Sequence, residues 1–281
     1  MESISFNSLP DDCISKILSL TTPRDVCRCS PISLDLRIAG FSNVAWEKFL
    51  PSDYQNILSG SVFPMHCSSK KELYFRLCDS VLIEGGKKNF WLEKSTGKKC
   101  YMLSASDLSI PWGNDSLHWS WKPLAQSRFP EVAELRTISW LEIQGEINAR
   151  ILSPKTKYAA YLVLKIADRA YGLNAIPSEI SVEVGDQISA GTAYMQNQDT
   201  QKQNLGRLLF SNRMEVLKSR LIEGDQRIPC DRKDGWMEIE LGEFFIDGGD
   251  EGEIKMSLKE IKGQQLKGGL IIEGIEVRPK E

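Results

Sequence analysis

The sequence predicts an α+β protein with more than one domain: a small helical module followed by an antiparallel, jelly-roll-like β-sandwich. In the first fifty residues, apolar side chains recur at helical spacing, as at Ile14, Ile17 and Leu18. From about residue 98 onward, apolar and polar residues alternate in short runs that turn signals separate. We therefore expect a helical module at 1–50, a connector with a helix and a hairpin at 51–97, and a β-sandwich at 98–280.

The helical module is predicted from its start signals. Pro10 suits the first turn of a helix, and the carboxylates of Asp11 and Asp12 suit the positive end of the helix dipole. This first helix is expected to run to about residue 19. Thr22, as N-cap, and Pro23, at the first helical position, indicate a second helix. Two further short helices are expected at 34–38 and from residue 46.

The connector and the β-sandwich show signals of a different kind. Ser69 and Glu72 form a capping-box pattern that predicts a helix to about residue 82, and 89–103 is predicted to form a hairpin. Alternating or continuous apolar runs then predict strands at 141–147, 158–166, 236–241, 254–258 and 270–277. Short strands with turn signals between them favour an antiparallel sandwich.

Composition and charge exclude several classes of protein. With 41% hydrophobic and 26% charged residues, the chain has the composition of a folded globular protein. A net charge of -3 gives no overall attraction to nucleic-acid phosphates. The chain shows neither a signal-peptide pattern nor the roughly 20 apolar residues of a membrane span. We expect no nucleic-acid or membrane partner, and a location in the cytoplasm or the nucleus.

The residues that most often carry chemistry are sparse. The seven cysteines are odd in number and irregularly spaced, which is typical of reduced, mostly buried thiols. Neither Cys27 with Cys29 nor His66 with Cys67 has a second pair at zinc spacing. His66 and His118 are the only histidines, and neither lies in a nucleophile motif. We expect no cofactor, no metal and no catalytic residue, and therefore a protein that is not an enzyme.

The N-terminal stretch resembles the F-box, the module by which substrate receptors dock on the Skp-type adaptor of a cullin-based ubiquitin ligase. The resemblance rests on Leu9-Pro10, Ile14, Ile17-Leu18, the run 23–26 with Cys29-Ser30, and Trp46. It implies that Leu9, Pro10, Ile14, Ile17 and Leu18 form the adaptor-binding surface. The alternative is that they are core positions of a helical cap on the larger domain. Pro31 departs from the pattern and leaves the strength of docking open.

The β-rich region resembles the phloem protein 2 domain, which is shared with Nictaba-type plant lectins. The matching segments are 105–112, 119–121, 128–129 with 131–135, 140–143 with 145, 158–163, 234–236 with 238–245, and 274–279. The resemblance covers about residues 98–280. An F-box followed by this domain is the layout of the plant F-box proteins of phloem protein 2 type B, which the whole chain resembles.

This second resemblance implies recognition of N-acetylglucosamine oligomers and of N-glycan cores. Trp112 and Trp119 match the sugar-stacking tryptophans of the lectins, and Glu251 is a candidate ligand for sugar hydroxyls. Packing in the core is an equal alternative for Trp112 and Trp119, because tryptophans in sandwiches are mostly buried. Trp140 and Trp236 are expected in the core.

Together these observations predict a substrate-recognition subunit of an SCF-type ubiquitin ligase. Its helical module would bind the Skp-type adaptor and cullin complex, and its β-domain would present a glycan or glycoprotein target. Two alternatives stay open. One is a cytosolic or nuclear lectin whose helices are only a cap, and the other is a protein-binding sandwich that no longer recognises sugar.

Overall fold

The computed structural model describes residues 9–173, 176–195, 226–249, 252–260, 263 and 265–280. The chain forms two compact units, Met1–Tyr101 and Met102–Glu281. The predicted segments 1–50 and 51–97 thus lie in the same unit. Within the described residues, no helix is long and apolar enough to cross a membrane.

The first unit contains six short α-helices in its described part. They are α1 (Asp11–Leu18), α2 (Pro23–Cys29), α3 (Leu34–Ala39), α4 (Asn43–Glu47), α5 (Tyr54–Ser59) and α6 (Lys70–Cys78). Side-chain oxygens of Thr22, Ser33 and Ser69 accept hydrogen bonds from the amides three residues later, at 3.1 to 3.2 Å. Each bond satisfies an amide that the first helical turn leaves unpaired, so these caps fix where α2, α3 and α6 begin.

Two predicted boundaries in this unit are wrong. The helix expected to start at Trp46 is α4, which ends one residue after that position. The helix expected to reach residue 82 ends at Cys78, because Asp79 adopts an extended backbone. The following residues form β1 (Val81–Ile83), which pairs with β2 (Lys88–Leu92) in antiparallel register.

Trp46 is the centre of the core of the first unit. Its side chain is fully buried, and its indole nitrogen donates to the Gly40 carbonyl at 2.8 Å. The rings of Tyr74 and Phe75, on α6, lie 5.2 and 5.3 Å from the Trp46 ring. Burying an aromatic side chain of this kind contributes up to about 3 kcal/mol, and here it fixes α4 against α6.

Antiparallel strands form the second unit. After β3 (Lys99–Ser104), which crosses the boundary between the units, the strands are β4 (Trp119–Lys122), β5 (Val132–Leu135), β6 (Leu141–Asn148), β7 (Thr156–Tyr171), β8 (Ser178–Val184), β9 (Gln187–Ala193), β10 (Gln226–Arg227), β11 (Cys230–Asp231), β12 (Met237–Ile246), β13 (Glu253–Glu260) and β14 (Gly268–Pro279). One sheet has the order β4-β5-β14-β7-β12-β11 and the other the order β10-β9-β8-β13-β6. Among the described pairs in these sheets, β9 with β10 is parallel.

The two sheets of this unit pack face to face. Gly242 on β12 shows how closely they approach, because a Cβ at this position would lie 2.8 Å from Val182 Cγ2 on β8. Side chains along β6 alternate between buried and more exposed, as expected for a sheet with one face in the core. The unit therefore agrees with the predicted antiparallel β-sandwich, while the jelly-roll connectivity stays a prediction.

Candidate functional sites: an apolar helical surface and an aromatic corner

The residues that the sequence predicts for adaptor binding differ in their exposure on and beside helix α1. Pro10 is exposed and Ile17 is 40% exposed, whereas Ile14 and Leu18 are buried at 0% and 3%. Ile14 and Leu18 are four residues apart and share one helix face, which packs inside the unit. Both residues are therefore buried in the free chain and not exposed, while their role in adaptor binding stays a prediction. Leu9 is partly exposed.

A larger apolar surface was missed by the sequence reasoning. Seven large apolar side chains on or beside α1, α3 and α4 are between 40% and 78% exposed: Ile17, Leu20, Ile32, Leu34, Ile38, Phe41 and Val44. We call this set the apolar helical surface. Helices α3 and α4 both pack against α1, so these residues lie on neighbouring elements. Where such side chains form one contiguous patch, the patch is typical of a site that contacts another macromolecule.

Lys71 on α6 borders this surface. Its ammonium nitrogen lies 3.6 Å from the centre of the Phe41 ring and 5.5 Å from that of Trp46. Burial lowers the pKa of Lys71, because desolvation disfavours its charged form. The ammonium group over the ring keeps Phe41 in place while much of that side chain stays exposed.

In the second unit, Trp112 has an unusual backbone conformation. Its φ is 56°, in the left-handed region, and its side chain is 50% exposed. A bulky residue in this region is a true outlier that costs about 1 to 3 kcal/mol. The Trp112 carbonyl accepts a hydrogen bond from the Asp115 amide at 2.8 Å, in the connection between β3 and β4. Strain of this kind is concentrated at functional sites.

Trp112 forms an aromatic corner with Trp140 and His118. The Trp112 and Trp140 rings lie 6.4 Å apart with an interplanar angle of 78°, and the His118 ring lies 5.6 Å from Trp112. Trp140 is 46% exposed, so its prediction as a core residue is wrong, whereas that of Trp236, at 1%, is confirmed. Trp140 precedes β6 outside the alternating pattern, and its ring faces solvent.

Trp119 lies in the interior, close to the corner. It is 1% exposed, and its indole nitrogen donates to the Pro111 carbonyl at 3.1 Å. Trp121 donates in the same way to the Gly113 carbonyl at 2.8 Å. Of the two roles left open for Trp119, the structure shows packing, because neither ring face is available to a sugar. Trp119 and Trp121 instead fix the backbone on both sides of Trp112.

Interior contacts also hold His118 and the segment that ends in Trp140. Nδ1 of His118 lies 2.9 Å from the Thr137 carbonyl, and the Lys267 ammonium donates to the Ser139 carbonyl at 2.8 Å. Lys267 is 1% exposed and pairs with the buried Glu260 at 2.9 Å. Burial lowers the pKa of Lys267. The segment that ends in Trp140 is thus held by a buried ion pair.

Two further predictions concern sites that the aromatic corner does not include. Glu251 lies outside the described residues. In the described part of the chain, no three His, Cys, Asp or Glu side chains are grouped so that they could hold a metal ion.

Comparisons with known proteins point to one family. Residues 98–279 match the family model described as phloem protein 2. The chain is 46% identical over 278 residues to the F-box protein PP2-B15 of Arabidopsis thaliana, covering 97% of this chain and 96% of the relative. It is also 46% identical over 278 residues to the F-box protein VBF of the same plant, with 97% and 99% covered. A third relative there, F-box protein PP2-B10, is 45% identical over 284 residues, with 99% and 95% covered.

Proposed function

Since the chain belongs to the phloem protein 2 family, we propose that it is a substrate-recognition subunit of an SCF-type cullin ubiquitin ligase. The observation that carries this proposal is the apolar helical surface, which lies where the sequence resembles an F-box. Three relatives that align over nearly their whole length are named F-box proteins. The chain itself performs no bond chemistry. It raises the local concentration of a target near the ubiquitin-conjugating machinery, in the cytoplasm or the nucleus.

The Skp-type adaptor would cover the apolar helical surface. Full burial of one large apolar side chain contributes about 1.5 to 3 kcal/mol, and association costs about 4 to 15 kcal/mol in lost freedom. Several of the seven side chains must therefore be covered together for a stable complex. Ile14 and Leu18 support docking only indirectly, by holding α1 in place.

Co-purification with the Skp-type adaptor tests this role. We expect a stoichiometric complex with the wild-type chain and its loss in the double variant Leu34→Asp with Ile38→Asp. Both side chains are at least half-exposed, so the fold should survive the substitutions. Ile188→Asp, at a 70% exposed position in the second unit, is the matched control and should bind normally. Equal binding by all three proteins would refute adaptor docking at this surface.

We further propose that the aromatic corner binds the glycan of the target. The apolar C–H face of a pyranose ring would lie on one indole while its edge meets the other. Covering about 100 Å² of an indole contributes about 2 to 3 kcal/mol, so one sugar binds only in the millimolar range. Useful capture therefore needs several sugars or additional protein contacts. The resemblance to the lectins favours N-acetylglucosamine oligomers as the ligand.

Titration with chitotriose, an N-acetylglucosamine trimer, tests the glycan site. We expect weak binding by the wild-type chain and loss of binding in Trp112→Ala and in Trp140→Ala. Phe245→Ala, which removes another exposed aromatic ring, is the control and should bind as the wild type does. Adaptor binding without sugar binding would favour the protein-binding sandwich. Sugar binding without adaptor binding would favour the lectin with a helical cap.

A further inference from the structure

A cationic pocket in the first unit lies between α2, α6 and the turn after β2. Its volume is about 510 Å³, and its walls include Arg24, Arg28, Phe75 and Lys94. It is separate from the residues of the apolar helical surface and belongs to neither site described above. Three basic side chains therefore line one pocket.

The two arginines share one side of a short helix. Arg24 and Arg28 are four residues apart on α2, so their side chains project from the same face into the pocket. Both are exposed. Guanidinium groups present planar forks of N–H donors that match the oxygens of a phosphate, which makes a pair of arginines a suitable clamp for that group.

The opposite wall combines a packed aromatic ring with a third basic side chain. The Phe75 ring packs against Trp46 at 5.3 Å and against Tyr74 at 5.6 Å. The Lys94 ammonium lies 5.7 Å from the centre of the Phe75 ring. The pocket therefore offers a third positive charge beside a fixed aromatic surface.

None of the three cations forms an ion pair within the described residues. The carboxylates close in sequence are otherwise engaged. Asp25 accepts from the Thr22 hydroxyl at 2.7 Å, and Glu93 accepts from the amides and hydroxyls of Ser95 and Thr96 at 2.7 to 3.0 Å. Although burial opposes it, these bonds lower the pKa of Glu93 and keep it ionised. Among the described residues, Arg24, Arg28 and Lys94 are thus available to contact an outside anion.

We propose that this pocket binds an aromatic phosphate monoester. The phosphate, with about -1.5 to -2 charges at neutral pH, would sit between Arg24, Arg28 and Lys94. The attached aromatic ring would lie against Phe75. Such a group is present on a phosphorylated tyrosine side chain and on free aryl phosphates.

Calorimetric titration of the full chain with phenyl phosphate tests this proposal. We expect binding that is about a hundredfold weaker in Arg24→Gln with Arg28→Gln, since the variant loses two charged contacts and each is worth about 1.4 kcal/mol, or tenfold. The double variant Lys48→Gln with Lys87→Gln removes the same charge from exposed positions elsewhere in the unit and should bind like the wild type. Inorganic phosphate should bind more weakly than phenyl phosphate because it lacks the ring.

A second ligand distinguishes the possible sources of the aryl phosphate, and a second variant controls for misfolding. Tighter binding of an Ala-Ala-phosphotyrosine-Ala-Ala peptide than of phenyl phosphate would identify a phosphorylated protein as the source, and equal binding would identify a small aryl phosphate. If the double arginine variant has a lower melting temperature than the wild type, the single variant Lys94→Gln tests the same pocket through a residue of the opposite wall. Equal affinity for phenyl phosphate in the wild type and in a folded pocket variant would overturn the proposal.

Discussion

The apolar helical surface and the aromatic corner expose apolar side chains to solvent in different ways. The first is a set of mostly aliphatic side chains on short helices whose buried faces form a thin core. The second consists of two indoles set at 78° to each other, with one of them on a strained backbone and the other held by a buried ion pair. A broad aliphatic surface suits a protein partner, whereas a narrow, rigid aromatic corner suits a small flat ligand.

The largest expected effect is the loss of stability on removing the buried ion pair that holds the segment next to Trp140. Lys267→Met leaves Glu260 buried without its partner and removes the hydrogen bond to Ser139, so we expect a loss of about 3 to 5 kcal/mol in the free energy of unfolding. Chemical denaturation measures it. Adding Glu260→Gln to Lys267→Met should recover part of the loss. If the single variant is as stable as the wild type, the corner does not depend on this ion pair.

Two matched substitutions on α1 distinguish its buried face from its exposed face. Ile14→Ala removes a fully buried side chain and should cost about 2 to 5 kcal/mol, whereas Ile17→Ala should cost less than about 0.5 kcal/mol. Ile17→Ala should nevertheless weaken binding of the Skp-type adaptor. Thermal or chemical unfolding of the free chain gives the two stabilities. Similar losses in both variants would contradict the division of α1 into a core face and a partner face.

Strain at Trp112 predicts a smaller effect. Both Trp112→Gly and Trp112→Ala remove the indole, but only glycine adopts the left-handed region without penalty. We expect the glycine variant to be about 1 kcal/mol more stable than the alanine variant, with sugar binding lost in both. Equal stability would show that the backbone at this position carries no strain.

The smallest expected effect is a pH dependence in the sandwich. Burial raises the pKa of Glu273, although the Arg128 amide donates to its carboxyl at 2.7 Å. A pKa that is higher in the folded state means that the stability from this group is present at acid pH and is lost as the pH rises through the folded pKa. Glu273→Gln keeps an acceptor for Arg128 and should remove this loss. The free energy of unfolding is measured at acid and at neutral pH for the wild type and for Glu273→Gln. The same change with pH in both proteins would contradict this prediction.

Local signals in the sequence predicted much of the fold. Thr22 and Ser69 act as caps because a side-chain oxygen three residues ahead of an amide needs no tertiary context. The strands of the sandwich followed from alternation in the same way. The end of α6 was missed, since nothing before Asp79 in the sequence marks its change to an extended backbone.

The candidate sites were harder to predict than the fold. Trp140 was wrongly assigned to the core and the two roles of Trp119 stayed open, because burial depends on residues far away in the sequence. One example is Lys267, whose ammonium group donates to the Ser139 carbonyl. Periodicity places Ile14 and Ile17 on nearly the same stripe, and only the packed neighbours of α1 decide which of them is buried. The F-box-like pattern therefore included the exposed Pro10 and Ile17 but not the six other side chains of the apolar helical surface. A role of any of them in adaptor binding stays a prediction.

Side-chain footprinting by hydroxyl radicals, with and without the Skp-type adaptor, tests the central comparison most directly. We predict that adding the adaptor protects Leu34, Ile38 and Phe41, while Trp112 and Trp140 stay as reactive as in the free chain. Protection of the two tryptophans with no change on the apolar helical surface would contradict it.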